Sequence, residues 1–322
     1  MRQGNEHQPA IRYSTRSMSE ADIPAVVDFI NELEQLEPMG ESITHAEYEQ
    51  EYHRPDSQNF TRLLVTLLDA DGNEARIIGR GLVYKSPSAD HAFSRLHIHP
   101  NYRNQGIGTR LYEELEKIVA GTGAREWQFG FNELATCTRA FLTQRGFGLG
   151  YLSLDMRLAA DQEVPEPQLP AGIDVRTFVA GQDEELLRQV YNTSFAGYQD
   201  HVESPLEEII YWTQLPEFSA WDGIFIAFAG EEAVASCWTR INLEENKRLG
   251  LDVGWIDSLG VVPAYRERGL GRALLLLGIR HLRRHVPIVD LNVIAKNEKA
   301  LGLYEGVGFR RYKGHVNMVK SL

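Results

Sequence analysis

The sequence predicts an α/β fold made twice: two tandem domains, each a central, mostly antiparallel mixed sheet flanked by helices. Three observations lead there. Strand-like and helix-like runs alternate along the chain. A basic glycine-rich turn stands at a strand-to-helix junction in each half, around Gly106 and Gly269. Landmarks recur at nearly one spacing: Gly106 and Gly269 are 163 residues apart, Gly146 and Gly308 are 162 apart, and Arg16 and Arg176 are 160 apart. Such self-similarity across most of each half is the mark of an internal repeat.

Composition sets the bounds. At 322 residues the chain is long for one domain and comfortable for two. A net charge of −12 argues against nucleic acid as the main partner. Cys137 and Cys237 lie a hundred residues apart with no Cys-x-x-Cys, which points to a reducing compartment without a disulfide framework. The polar start, residues 1–10, has no apolar signal segment, and no apolar run reaches membrane-span length. A cytoplasmic protein with no membrane partner is expected, as monomer or homodimer.

After a flexible lead over 1–10, residues 11–16 read as a strand. The Ser19 to Asp22 cap opens a helix to about Glu32, with Ile23, Val26, Val27 and Ile30 on one face. A second helix is expected over 44–52. Strands over 60–68 and 77–84 are joined by an Asp71-Gly72-Asn73 turn, and a third spans 92–98. The glycine turn follows, then a helix over 111–120, a strand over 127–131, a helix over 135–144 and a closing strand over 151–158. The first domain is thus 11–158. Residues 159–171 carry three prolines and no apolar periodicity, so they read as a linker. The order restarts in a second domain over 172–322. Its strands are 173–178, 223–228, 234–241, 254–262, 288–294 and 314–320. Its helices are 183–195, one opened by Ser204-Pro205, 270–282 and 297–305.

The turn Arg266-Glu267-Arg268-Gly269-Leu270-Gly271-Arg272 explains itself chemically. A helix N-terminus leaves backbone N–H groups free, its dipole favours anions, and glycines permit close approach. With three arginines this suits a pyrophosphate. It has neither the Lys-Ser/Thr of a Walker loop nor a third glycine. The plain alternative is a glycine-rich turn with surface arginines.

Arg-x-x-Gly-x-Gly between a strand and a helix resembles the acetyl-CoA loop of the GNAT acetyltransferase superfamily, and each half shows that family's order of elements. The resemblance covers all but the lead and linker. It implies direct transfer of acetyl from acetyl-CoA, as co-substrate, to a primary amine. It also implies cofactor contacts along the loop 266–272 and its counterpart Arg103, Asn104, Gln105, Gly106, Ile107, Gly108 and Thr109. The pantetheine arm would pair, like a strand, with Leu259, Gly260 and Val261, or with Leu96 and Ile98 in the first half. These backbone groups would also steady the thioester oxyanion.

The stretch from Asn297 to Phe309 fits the family's N-x-x-A-x-x-x-Y-x-x-x-G-F pattern. By resemblance Asn297 bonds pantetheine and Tyr304 is the general acid at the sulfur; otherwise Tyr304 is a packed interfacial tyrosine. Asp257 is the base candidate or, alternatively, a strand-end cap. Some members carry a catalytic Glu at its register, others two residues earlier, where Trp255 stands. At a constant offset the first half has Leu142, Ala135 and Ser94 where the second has Tyr304, Asn297 and Asp257. It is therefore expected to be non-catalytic with an intact loop. The acceptor, expected to be a small-molecule amine, falls to Tyr191–His201 with Trp238, Arg240 and Trp255. Rival readings are a CoA-binding sensor without turnover and a protein lysine or N-terminal acetyltransferase. His97 and His99 lack metal-ligating neighbours, so no metal is expected. The basic end of the long helix, Arg280 to His285, suits a helix C-terminus or a cofactor 3′-phosphate. The cysteines read as packing residues.

Overall fold

The computed structural model describes residues 11–198 and 201–322. The expected flexible lead, 1–10, lies outside them, as do Gln199 and Asp200. Contacts divide the described residues into two compact units, those up to Phe129 with Ser321–Leu322, and those from Gly130 to Lys320.

Unit 1 contains β1 (Tyr13–Ser17), α1 (Ile23–Leu36), α2 (His45–Tyr52), β2 (Phe60–Leu68), β3 (Glu74–Tyr84), β4 (His91–Ile98), α3 (Ile107–Ala120) and most of β5 (Glu126–Asn132). The strands run in sequence order, β1 to β5, and pair antiparallel except for β4 with β5. Reciprocal caps open α2, Thr44 with Glu47, and the 3-10 turn Glu20–Asp22 that leads into α1, Ser19 with Asp22. The apolar face of α1 packs Val26, Val27 and Ile30 with Leu64 and Ile77. On the sheet's other face Tyr112 of α3 stacks on Trp127, ring centres 4.9 Å apart.

Unit 2 begins with the end of β5, then α4 (Thr136–Thr143), β6 (Gly148–Leu158), β7 (Ile173–Thr177), α5 (Glu184–Phe195), α6 (Leu206–Gln214), α7 (Pro216–Ser219), β8 (Ile224–Ala229) and β9 (Glu232–Arg240). It continues with α8 (Leu243–Leu249), β10 (Val253–Val261), α9 (Leu270–Leu282), β11 (Ile288–Ile294), α10 (Glu298–Val307) and β12 (Arg310–Ser321). Strand order is β12-β6-β11-β10-β9-β8-β7, antiparallel except β10 with β11. The strand that closes the first repeat in sequence, β6, therefore lies between two strands of the second repeat. Arg157 of β6 makes a two-point ion pair with fully buried Asp290 of β11, at 2.8 and 2.7 Å.

The repeat is visible in detail. Arg16 grips Asp22 with both terminal nitrogens, and Arg176 grips Asp183 the same way, each tying the first strand to the helix that follows. The helix exits match too: the Phe147 amide bonds to Leu142 O and the Phe309 amide to Tyr304 O, past left-handed Gly146 and Gly308. Sequence periodicity passes over α7 and α8, both too short to show it. The marks of α8 are its ends, an Asn242 cap and left-handed Gly250. The basic end of α9 is engaged within the unit. Arg283 bonds to linker carbonyls of Ala160 and Gln162, and Arg280 pairs with Glu166 at 2.6 Å.

Candidate active site

Each glycine turn is shaped by two left-handed residues. Glu267 (φ 63°) and Gly269 (φ 83°) precede α9; Asn104 (φ 60°) and Gly106 (φ 80°) precede α3. The residue at 267 and at 104 takes this conformation without being glycine, which proteins seldom do without local reason. A Cβ built on Gly269 or Gly106 meets nothing within 4 Å, so the space before both N-termini is open. Leu270-Gly271 and Ile107-Gly108 form the first helical turn, with free amides facing that space. Two αL residues flanking such amides make an anion-binding concavity.

The arginines divide in role. Arg266 bonds through Nε to Val261 O (2.9 Å) and through Nη2 to Ser194 O (2.7 Å), so it braces the turn against α5. Arg103 repeats the brace to Ile98 O at 3.0 Å and clamps Glu37 at 2.7 and 2.6 Å. Arg268 donates to Ala264 O at 2.9 Å. Exposed Arg272 makes no hydrogen bond among the described residues and is the charge left for a ligand. Glu267 pairs with Lys299. In the other turn, Gln105 donates to Asn101 O, and Thr109 is also engaged.

The strand before each turn parts from its parallel neighbour. β10 pairs with β11 only over Val253–Ile256, and β4 with β5 only over His91–Ser94. Beyond that the edges carrying Leu259–Val261 and Leu96–Ile98 have no partner strand on that side among the described residues. An open strand edge of this kind is the geometry that strand addition by an extended, amide-bearing chain requires. On the opposite side β9 continues to pair through Val261. Gly260 has its own reason to be glycine: a Cβ there would lie 2.7 Å from the Ser194 Cβ of α5.

A β-bulge falls at Asp257, between Ile256 opposite Thr239 and Ser258 opposite Trp238. It turns both Asp257 and Ser258 toward the α5 side. β4 has no such bulge. The constant-offset match of Asp257 to Ser94 is therefore corrected. Buried Ser94 accepts a 2.8 Å bond from Trp127, on the α3 face, and corresponds to Ile256. Asp257 is an inserted residue with no counterpart in unit 1.

Asp257 is half-exposed and accepts a 2.7 Å bond from Arg240 Nε. Arg240 also lies over the Trp255 ring, 5.3 Å from its centre. Above them stands an aromatic wall: Tyr191 packs on Phe195, Trp238, His201 and Trp212, with centres 5.0, 5.6, 5.9 and 6.2 Å away. Burial, then the charges of Asp257 and Glu208, pushes the Tyr191 hydroxyl up to about 12. Burial pulls His201 below its ordinary value. The buried Oγ atoms of Ser194 and Ser258 and Nε2 of His201 have no hydrogen-bond partner among the described residues. Unsatisfied buried polar groups are uncommon and mark places where a ligand or water completes the set. Sequence reading named this region and three of its outlying residues, but missed Trp212 of α6 and Ser258, the latter because a bulge has no composition signal.

Tyr304, 8 % exposed, belongs to the core cluster that includes Ile256 and Leu270, with Leu259 and Val261 packed against it. It sits edge-on to Phe309, centres 6.1 Å apart. Its hydroxyl makes no hydrogen bond among the described residues. Burial raises its pKa well above the ordinary tyrosine value, helped by Cys237 and Tyr198, so it stays protonated. Asn297 caps α10, accepting from the Ala300 amide at 3.2 Å, and keeps its NH2 for another partner. Among the described residues no cluster of His, Cys, Asp and Glu could hold a metal ion, and no helix is long and apolar enough to cross a membrane.

Comparison with known proteins agrees with this geometry. The profile of the Acetyltransferase (GNAT) family matches residues 27–147 and again 185–309. A mycothiol acetyltransferase of Thermobispora bispora is 34% identical over 249 residues, covering 76% of this chain and 80% of that one. Another, from Amycolatopsis mediterranei, is 30% identical over 301 residues, covering 84% and 97%. Among solved structures, a GCN5-related N-acetyltransferase from Sphaerobacter thermophilus superimposes with a TM-score of 0.73 at 23% identity, over 96% of this chain and 95% of that one. A tandem GNAT protein from the clavulanic acid biosynthesis pathway gives 0.73 at 14% identity, over 96% and 98%.

Proposed function

This chain belongs to the acetyltransferase (GNAT) family and is an acyltransferase with two tandem domains; on that premise we propose that its C-terminal half moves an acetyl group from acetyl-CoA to the primary amine of a small molecule. The observation that carries the reading is the single path formed by the open β10 edge, which runs from the Asp257 bulge to the glycine turn before α9.

The residues fit the co-substrate in size and charge. The amides of Leu270 and Gly271 with Arg272 would hold the pyrophosphate. Leu259–Val261 would pair with the pantetheine, and the Asn297 NH2 would bind its carbonyl. Acetyl-CoA supplies a thioester, whose carbonyl carbon an amine attacks directly. Asp257, beside Arg240, would take the proton of the attacking ammonium, directly or through one water. Tyr304, held in its protonated form, would give its proton to the departing sulfur. The aromatic wall around Tyr191 would receive the apolar part of the acceptor. That relatives of similar length are mycothiol acetyltransferases supports a small-molecule acceptor.

The first repeat keeps the turn and the open strand edge without the bulge, the tyrosine or the asparagine, and we read it as non-catalytic. Calorimetric titration with acetyl-CoA tests both statements. Two sites in the wild type and one in Gly269→Asp fit the reading. One site falling to none would make the first turn structural only. No binding in the wild type would end the acetyltransfer proposal.

A further inference from the structure

In unit 1 the sheet face that meets α1 and α2 is charged where a core-facing surface should be apolar. Register places two rows across β2, β3 and β4: Arg62, Leu82, Arg95 and Leu64, Arg80, His97. The same rows of unit 2, taken from its own register, read Ile224, Trp238, Ser258 and Ile226, Ser236, Gly260. Unit 2 thus has two serines and an isoleucine where unit 1 has three arginines. The fold does not need charge there.

These side chains line a cavity of about 80 Å3, faced by Tyr48 and Glu51 of α2 and by Glu41 of the loop before it. A water needs roughly 10–15 Å3, so the cavity takes about five to eight heavy atoms. None of the three arginines forms an ion pair among the described residues. Arg80 donates a long 3.4 Å bond to His97 Nδ1 and meets the Tyr48 hydroxyl, both neutral partners, and burial lowers its pKa. Arg62 lies over the Phe60 and Tyr52 rings at 4.5 and 5.0 Å, yet its Nη2 is buried with no hydrogen-bond partner. His97 is kept neutral by burial and by Arg80, Arg95 and Arg103; its Nε2 is 3.8 Å from Glu41. Glu41 and Glu51 act on Arg80 through space without pairing with it, and a guanidinium held away from water without a hydrogen-bonded counter-charge is unfavourable unless something else supplies one.

We propose that this pocket is a binding site for a small oxyanion, the phosphate or carboxylate head of a metabolite, held by Arg62 and Arg80 with Arg95 at the mouth. Forked guanidinium groups match both heads in geometry. The Asp257 bulge and Tyr304 belong to the other unit, and the proposal does not depend on acetyl transfer.

The test is thermal unfolding with inorganic phosphate or malonate added, against sodium chloride at equal ionic strength. Coenzyme A is present at saturation, so that the glycine turns do not report, and the series is repeated without it. The proposal expects one anion to raise the melting temperature saturably beyond the chloride control. It expects Arg80→Leu to weaken that anion roughly ten- to a hundredfold, the loss of a charge-assisted hydrogen bond. The stronger of the two anions identifies the head group. Should Arg80→Leu not fold, Arg62→Leu replaces it and is expected to melt no lower than wild type in the absence of anion, while losing the anion response. No anion-specific shift in the wild type, or an equal shift in a folded arginine variant, would overturn the site.

Discussion

In the proposed reaction Asp257 and Tyr304 move protons in opposite directions, and their surroundings differ accordingly. Tyr304 is enclosed by apolar neighbours that disfavour its anion; Asp257 is half-exposed beside a guanidinium. Tyr304→Phe is expected to lower turnover by about a hundredfold or more, with acetyl-CoA affinity nearly unchanged, as measured by steady-state kinetics beside calorimetry. Equal turnover would remove the acid role. Asp257→Asn keeps a bonding partner for Arg240 and removes the proposed base; kcat should fall by a similar order while the melting temperature holds. Tyr304 and Asn297 were legible because a spaced motif fixes both at once. Asp257 was legible as a residue type on the right strand. Its bulge was not, since an inserted residue leaves the local composition unchanged and shows only when the facing register of β9 is known.

At the scale of elements, two devices repeat. The Arg16–Asp22 and Arg176–Asp183 pairs hold their carboxyls below the ordinary range, chiefly through the arginine hydrogen bonds. A depressed folded-state value means stability that is full above the unfolded carboxyl pKa, about 4, and is lost as pH falls through the folded one. Asp183→Asn should therefore flatten the acid limb of a urea-unfolding series between pH 5 and pH 2, relative to wild type. An unchanged limb would show the pair to be inert. The close approach of α5 to β10 gives a second expectation. Gly260→Ala forces Ser194 away and should destabilise by about 1–3 kcal/mol in the same assay. Element order and both glycine turns could be read from hydrophobic period and caps. The short helix α8 could not, because seven residues show too little period, although Asn242 and Gly250 marked its ends.

For the whole molecule, the repeat in sequence and the compact units do not coincide. The repeat runs to Leu158, whereas contacts divide the chain after Phe129 and place β6 between β11 and β12. Local pattern identifies β6 as a strand and says nothing of its neighbours, which lie more than a hundred residues away. A fragment of residues 172–322 lacks the strand that carries Arg157 and leaves buried Asp290 with the Tyr312 hydroxyl but no counter-charge, so it should fail to fold cooperatively. A fragment of 130–322 restores both and should give a sigmoidal melt. The reverse outcome would show β6 to be dispensable.

The position of β6 also bears on how the protein is made. Its last residue, Leu158, leaves the ribosome well before Ile288, the first residue of β11. At roughly 5–20 residues per second the interval is on the order of ten seconds. During that time an eleven-residue strand with Leu154, Met156 and Leu158 on its apolar face has no native neighbour on either side. Birth order thus makes the second unit the slow and exposed half of synthesis, the stage at which a chaperone would be needed and at which slow codons between 159 and 287 would lengthen the risk.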